Sequence, residues 1–149
     1  MSCNEVLGRL SSFKFLIKTD LTKSFFQIPL DKSSIPYVAT ATPFKGLRVY
    51  TRAAMGMPGS SEILQELTSR VFGDLLAEGI LLILADNLFI GGNTIQEMLY
   101  RWEIVLQRLS ESNLTLSPTK TIVCPKSTTI LGWICSDNVC QICKFVDIQ

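Results

Sequence analysis

The stretch ILLILADNLFIGG, residues 80–92, constrains this chain more than any other. Six apolar residues run straight into Asp86, Asn87 follows, and a second apolar run ends on two glycines. Short apolar runs on either side of two polar residues read as two buried strands joined by a tight turn. Bridging a bilayer takes about 18 consecutive apolar residues, so neither run spans a membrane. The hairpin therefore demands a sheet, and the sheet demands layers to cover it. A carboxylate at the tip of such a hairpin is costly unless it is paired, protonated or bound to a cation.

The rest of the chain supplies those layers. Residues 13–21, FKFLIKTDL, read as a strand that also ends on an aspartate, Asp20. PYVATATPF and GLRVYTR (36–52) read as two short strands separated by Pro43 and Gly46, a hairpin pattern. The period then changes. Ile63, Leu64, Leu67, Val71, Leu75 and Leu76 recur at steps of three and four, with Ser60 or Ser61 as N-cap and Gly79 as the stop. This predicts an amphipathic helix. A second helix is predicted from Thr94, where Glu97 completes a capping box and Leu99, Trp102, Val105, Leu106 and Leu109 form the buried face. KTIVC and TTILGWIC then read as strands, and SDN (136–138) as a turn into a last short one. The order predicts an α+β fold, with helices packed on one face of an antiparallel sheet.

Composition narrows the chemistry. The 149 residues suggest one domain, and 47% hydrophobic with 18% charged is a globular balance. A net charge of +1 gives no global pull towards polyanions. There is no histidine, which excludes histidine bases, triads and metal ligands together. MSCNEVLGRL has no continuous apolar core, so no signal peptide is read and an intracellular chain, with no membrane partner, is expected. On that expectation the sequon at Asn113 is idle and the five cysteines are reduced thiols. CQIC has the spacing of a zinc knuckle. Without a regular second pair or a histidine, ordinary thiols are the reading preferred for Cys124, Cys135, Cys140 and Cys143. Lys14, Lys18 and Lys23 flank Asp20, where solvated charges are the preferred reading and contact with nucleic acid the alternative.

Asp20 and Asp86 thus each end an apolar strand. Two such acids side by side repel, and without a cation one of them must take up a proton. Taken singly, each is equally a turn cap. Their surroundings favour more. TDLTKSFFQIPL (19–30), AAMGMPGSSEILQ (53–65), LADNLF (84–89), LSPTKT (116–121) and ILGWI (130–134) resemble, in order, motifs A to E of reverse transcriptases. The phrases TPFKGLRVYTR and MGMPGS are especially similar to polymerases of gypsy-type LTR retrotransposons, and the likeness runs from about residue 12 to about 140.

The resemblance implies a polymerase palm that joins a primer 3′-hydroxyl to a nucleotide α-phosphate by two-metal catalysis. Mg²⁺, with Mn²⁺ as the alternative, takes one or two carboxylates and fills its shell with water and phosphate. Asp20 and Asp86 would be those ligands, with the backbone carbonyl of Leu21 as a further one. Phe25 would lie beneath the sugar and exclude a 2′-hydroxyl, while plain core packing is its alternative. Met55, Gly56 and Gln65 would line the nucleotide and template side. Lys120 would protonate the leaving pyrophosphate, where a solvated loop lysine is the alternative. Leu131, Gly132 and Trp133 would form the primer grip. The partners implied are an RNA or DNA template–primer duplex and a dNTP.

Two departures temper the expectation. The family carries two adjacent acids in motif C, and here the second is Asn87. The swap is nearly isosteric, so the hairpin survives, but a unit charge pair at about 4 Å near a surface is worth roughly 4 kcal/mol. Polymerase activity is expected to be severely impaired. Leu84 stands where many relatives carry tyrosine, a milder change. Only about 20 residues precede Asp20, so residues 1–18 and 31–55 are read as a fingers-side remnant and 114–149 as the motif D/E and primer-grip region. Thumb and RNase H are absent on this reading, and a partner chain or further segments would supply fingers and thumb. The alternatives are a non-catalytic nucleic-acid- or protein-binding remnant of such a polymerase, and a relic without function.

Overall fold

In the computed structural model, backbone structure is described for residues 3–84, 86–125, 127–130, 133–136 and 139–142, and side chains for 5–84 and 86–125. Contacts divide the chain into two units, residues 1–21 with 74–149, and residues 22–73.

The first unit is built on a four-stranded antiparallel sheet. Its strands are β1 (Phe15–Asp20), β4 (Leu81–Leu84), β5 (Asn87–Gly92) and β6 (Ile122–Val123), in the spatial order β4-β5-β1-β6. The predicted hairpin is β4 with β5, paired Leu84 to Asn87 through Leu81 to Ile90. β5 pairs along its whole length with β1, from Asp20 opposite Asn87 to Phe15 opposite Gly92. Opposed residues share a face and neighbours alternate. Leu16, Lys18, Asp20, Asn87, Phe89, Gly91, Leu82 and Leu84 therefore point one way, and Ile17, Thr19, Leu88, Ile90 and Gly92 the other.

Both faces are covered. Helix α3 (Ile95–Glu111) lies against the Gly92 face, where a β-carbon on Gly92 would stand 2.8 Å from the Met98 backbone nitrogen. Thr94 caps α3 as expected: its Oγ1 accepts from the Glu97 N–H at 3.1 Å. Helix α1 (Cys3–Ser11), which the sequence reading passed over, packs Val6, Leu7 and Leu10 on Leu82 and Phe89 of the opposite face. The α+β class with an antiparallel sheet holds, and α1 adds a layer to it.

Two details differ from expectation. The buried face of α3 is Met98, Val105 and Leu109, whereas Leu99 and Leu106 are exposed. Residues 98, 102, 105 and 109 form one stripe, and Leu99 and Leu106 fall about 100° to its side. TTILGWIC is two strands, β7 (Ser127–Ile130) and β8 (Trp133–Ser136), antiparallel with Ile130 opposite Trp133. Periodicity alone gives no sign of such a reversal, and Gly132 inside the run is the local signal that marks a break in it. β9 (Val139–Ile142) pairs with β8 from Ser136 opposite Val139, as the SDN turn predicts.

The second unit holds the hairpin β2 (Ala39–Thr42) and β3 (Gly46–Val49), and most of helix α2 (Ser60–Ala77). The helix ends as predicted. Gly79 takes φ +71°, and the N–H groups of Ile80 and Gly79 reach back to Leu75 and Leu76 at 2.9 and 3.3 Å. Among the described residues no helix is long and apolar enough to cross a membrane.

Candidate active site

β1 delivers Asp20. Its alternation sends Ile17 and Thr19 towards α3, so Asp20 at the strand's end falls on the other face, opposite Asn87. On the far side of β1 runs the segment leading into β6. Its register, Lys18 opposite Ile122, sets Thr121 beside Thr19, and their hydroxyls meet at 2.8 Å. One residue earlier, Lys120 comes beside Asp20, and its Nζ donates to Asp20 Oδ2 at 2.7 Å. Asn87, Asp20 and Lys120 thus form a row across three adjacent chain segments at one end of the sheet.

The row is held from below by backbone. Ser117 N–H donates to the Asp20 carbonyl at 2.9 Å, and Leu21, itself buried, bridges Leu116. Lys120 ends a short 3-10 helix, Pro118–Lys120, and Thr121 Oγ1 ties it back by donating to the Ser117 carbonyl at 2.8 Å. Ser117 and Thr121 were not singled out in the sequence. The hydroxyl-rich SPTKT around a proline is the signal that marks such a self-bonded turn.

The electrostatics are uneven. Asp20 is only 5% exposed, and its Oδ1 is buried with no hydrogen-bond partner among the described residues. Asp86 differs from the expectation of two buried acids. It stands in the hairpin turn itself, exposed, and accepts from Asn87 Nδ2 at 3.2 Å. The Asp20 carboxylate, by hydrogen bond and by charge, holds the Lys120 ammonium above the ordinary lysine pKa, and the charge of Asp86 adds to this. Both carboxylates therefore act on one cationic position.

A buried carboxylate oxygen without a partner is expensive, and a cation is what relieves it. Among the described residues no three acidic, cysteine or histidine side chains cluster. The donor set is two carboxylates and one amide. That fits an ion such as Mg²⁺, which accepts one or two protein carboxylates, and does not fit a fully protein-caged metal.

The family model for reverse transcriptase (RNA-dependent DNA polymerase) matches residues 2–135, which contain the whole row. The chain belongs to the reverse transcriptase family. The reverse transcriptase match extends to retroelement proteins. The Pol polyprotein of transposon 297 from Drosophila melanogaster is 29% identical over 131 residues, covering 88% of this chain and 12% of that protein. The Pol polyprotein of transposon opus from Drosophila melanogaster is 27% identical over 134 residues, 88% and 13%. The chain spans about an eighth of the length of these relatives. In fold it is similar to the foamy viral protease–reverse transcriptase solved with an RNA/DNA hybrid. There the TM-score is 0.78 at 22% identity, over 91% of this chain and 18% of the other.

Other predicted residues of the reverse transcriptase motifs lie in the second unit. Phe25 is half-buried in a 3-10 helix, Ser24–Gln27. Met55 is 80% exposed, Gly56 takes φ +85°, which favours glycine, and Gln65 is exposed on α2. Of the predicted primer grip, Leu131 and Gly132 lie outside the described residues, and Trp133 lies in β8 opposite Ile130 and Ile142. Cys124 is a free, exposed cysteine, and Cys143 lies outside the described residues.

Proposed function

We propose that this chain forms the palm of an RNA-directed DNA polymerase from an LTR retroelement of the gypsy type, working inside the cell, with catalysis weakened by Asn87. One observation supports the reading above others: a buried aspartate, Asp20, with an oxygen that has no partner among the described residues, lies in register with the motif C turn. Residues 1–18 and 31–55 are assigned to the fingers side, and 114–149 to motifs D and E. A longer polypeptide or a partner chain supplies the remaining fingers and the thumb.

In this reading Asp20 and Asp86 hold Mg²⁺ or Mn²⁺, with the Leu21 carbonyl as a further ligand. Bound there, the metal supplies activation of the primer hydroxyl and neutralises charge at the α-phosphate. Asn87 keeps the shape of the second motif C acid without its charge. Phe25 packs beneath the sugar and selects a dNTP. Met55, Gly56 and Gln65 line the nucleotide and template. Lys120 donates a proton to the leaving pyrophosphate. Leu131, Gly132 and Trp133 position the primer end of an RNA or DNA template duplex.

Primer extension on an RNA template, with Mg²⁺ and separately Mn²⁺, tests this on the chain as given, Asn87→Asp and Asp86→Ala. Extension is expected to be barely above the Asp86→Ala blank for the chain as given. Asn87→Asp is expected to raise it by about tenfold or more, equivalent to roughly 1.4 kcal/mol of barrier. Equal extension by Asp86→Ala and Asn87→Asp would overturn the assignment of Asp86.

A second reading has its own observation. Asp20 is paired with Lys120, and Asn87 brings no charge, so less negative charge is left at this end of the sheet for two metal ions. This favours a domain that binds RNA–DNA duplex without extending it. Salt-sensitive duplex binding with no extension by any variant would support that reading.

A further inference from the structure

The cation nearest the Asp20 carboxylate belongs to the chain itself. Lys120 Nζ sits 2.7 Å from Asp20 Oδ2, and the two residues differ sharply in exposure: the aspartate side chain is 6% accessible and the lysine side chain 69%. A buried anion thus meets a cation whose stem is in water. The backbone that carries the anion is anchored: Asp20 pairs with Asn87, β1 is flanked by β6 on its other side, and the Asp20 carbonyl accepts from the Ser117 N–H. The lysine side chain stands largely in water and can swing away at little packing cost.

Position 87 sharpens the contrast. An acid there would add a further negative charge, directly opposite Asp20 and beside Asp86, and one ammonium would not balance them. With Asn87, whose amide points its hydrogen at Asp86, the single positive charge of Lys120 suffices for Asp20.

We propose that Lys120 is an internal competitor for the divalent cation at Asp20, holding Oδ2 when no metal is bound and leaving it when one enters. The inference rests on the metal-binding reading given above. It has a consequence for order of events. Metal entry releases the Lys120 ammonium from its carboxylate, so the lysine becomes available to a phosphate only once the carboxylate is occupied.

The test is direct ion binding, without substrate. Mn²⁺ is titrated into the chain as given, Lys120→Met, Lys120→Arg, Lys14→Met and Asp20→Asn. Free Mn²⁺ is read by electron paramagnetic resonance, and folding is checked by circular dichroism. Lys120→Met is expected to bind Mn²⁺ about threefold to tenfold more tightly, the scale of a half-exposed ion pair. Lys120→Arg is expected to stay near the unmodified value. Lys14→Met removes one charge from an exposed position on the same unit and is expected to change little.

Asp20-dependent binding that is unchanged in Lys120→Met overturns the competition while leaving the metal site standing. Equal tightening by Lys14→Met overturns it too, since general charge would then account for the effect. Binding that is absent from every variant, or that persists undiminished in Asp20→Asn, overturns the inference and the metal-binding reading together.

Discussion

Asp20 and Asn87 face each other across β1 and β5, the last pair of that ladder before the strands part. The pair places an uncharged amide directly beside a buried carboxylate, and this decides what the site tolerates without metal. Converting Asn87 to Asp sets two acids opposite one another. Asn87→Asp is expected to lower unfolding free energy by about 1–3 kcal/mol in chelator. Mg²⁺ is expected to restore more stability to it than to the unmodified chain, by linkage. Urea unfolding with and without Mg²⁺ measures both. Equal stabilities in chelator would mean that the second acid is absorbed by proton uptake or by Lys120.

The two glycines that close β5 answer to different neighbours. A β-carbon on Gly92 meets the Met98 nitrogen at 2.8 Å and the Thr94 carbonyl oxygen at 3.2 Å, both backbone atoms of the α3 N-terminus. One on Gly91 meets the Phe13 ring instead. Gly92→Ala must displace a helix and is expected to cost about 1–3 kcal/mol, the range of overpacking. Gly91→Ala presses on the root of that side chain, with Phe13 Cβ at 2.9 Å and Cγ closer still, which no ring tilt relieves, and is expected to cost at least as much. Denaturant midpoints of the two variants, at equal m-values, give the ordering.

Thr94 is the N-cap of α3, and Glu97 returns its carboxylate to the Asn93 N–H at 2.8 Å. Thr94→Ala leaves the Glu97 amide without its acceptor. A loss of about 1 kcal/mol is expected. Thr94→Ser keeps the oxygen and should recover most of it, which thermal unfolding of the two variants would show.

Asp74 and Arg108 form a two-point pair, Nη1 to Oδ1 at 2.9 Å and Nη2 to Oδ2 at 2.7 Å. The Arg108 hydrogen bonds hold the Asp74 carboxyl below its ordinary pKa, against a smaller opposing effect of burial. A folded-state value that is depressed contributes stability above the unfolded value and loses it as pH falls through the folded one. The contribution is therefore present at neutral pH and lost below about pH 4. Asp74→Asn is expected to flatten the pH dependence of stability in that acid range only. Unfolding midpoints followed from neutral pH downwards would expose the difference.

Much of this protein could be read along the chain, because the relevant signals are local. Apolar period marks α2, the Thr94 box marks the start of α3, Gly79 marks a stop, and the apolar–Asp-Asn–apolar pattern marks the β4–β5 hairpin. Motif order carried the likeness to reverse transcriptases, since five short patterns in sequence are far less accidental than one. The same local view misled at Leu99 and Leu106. Period alone allows a stripe to be drawn too wide, and packing against β5 chose Met98, Val105 and Leu109. It also missed α1, whose short amphipathic turn of Val6, Leu7 and Leu10 is legible only once a sheet face needs covering.

The sequence by itself determined which residues carry charge, which strands end on an aspartate and that the second motif C acid is an amide. Tertiary structure alone decided that Asp20 is buried while Asp86 is exposed, and that the cation beside Asp20 comes from Lys120, 100 positions along the chain. The reason is physical. Burial and ion pairing depend on which segments the sheet brings side by side, and that pairing is set by registers between strands rather than by any pattern within one.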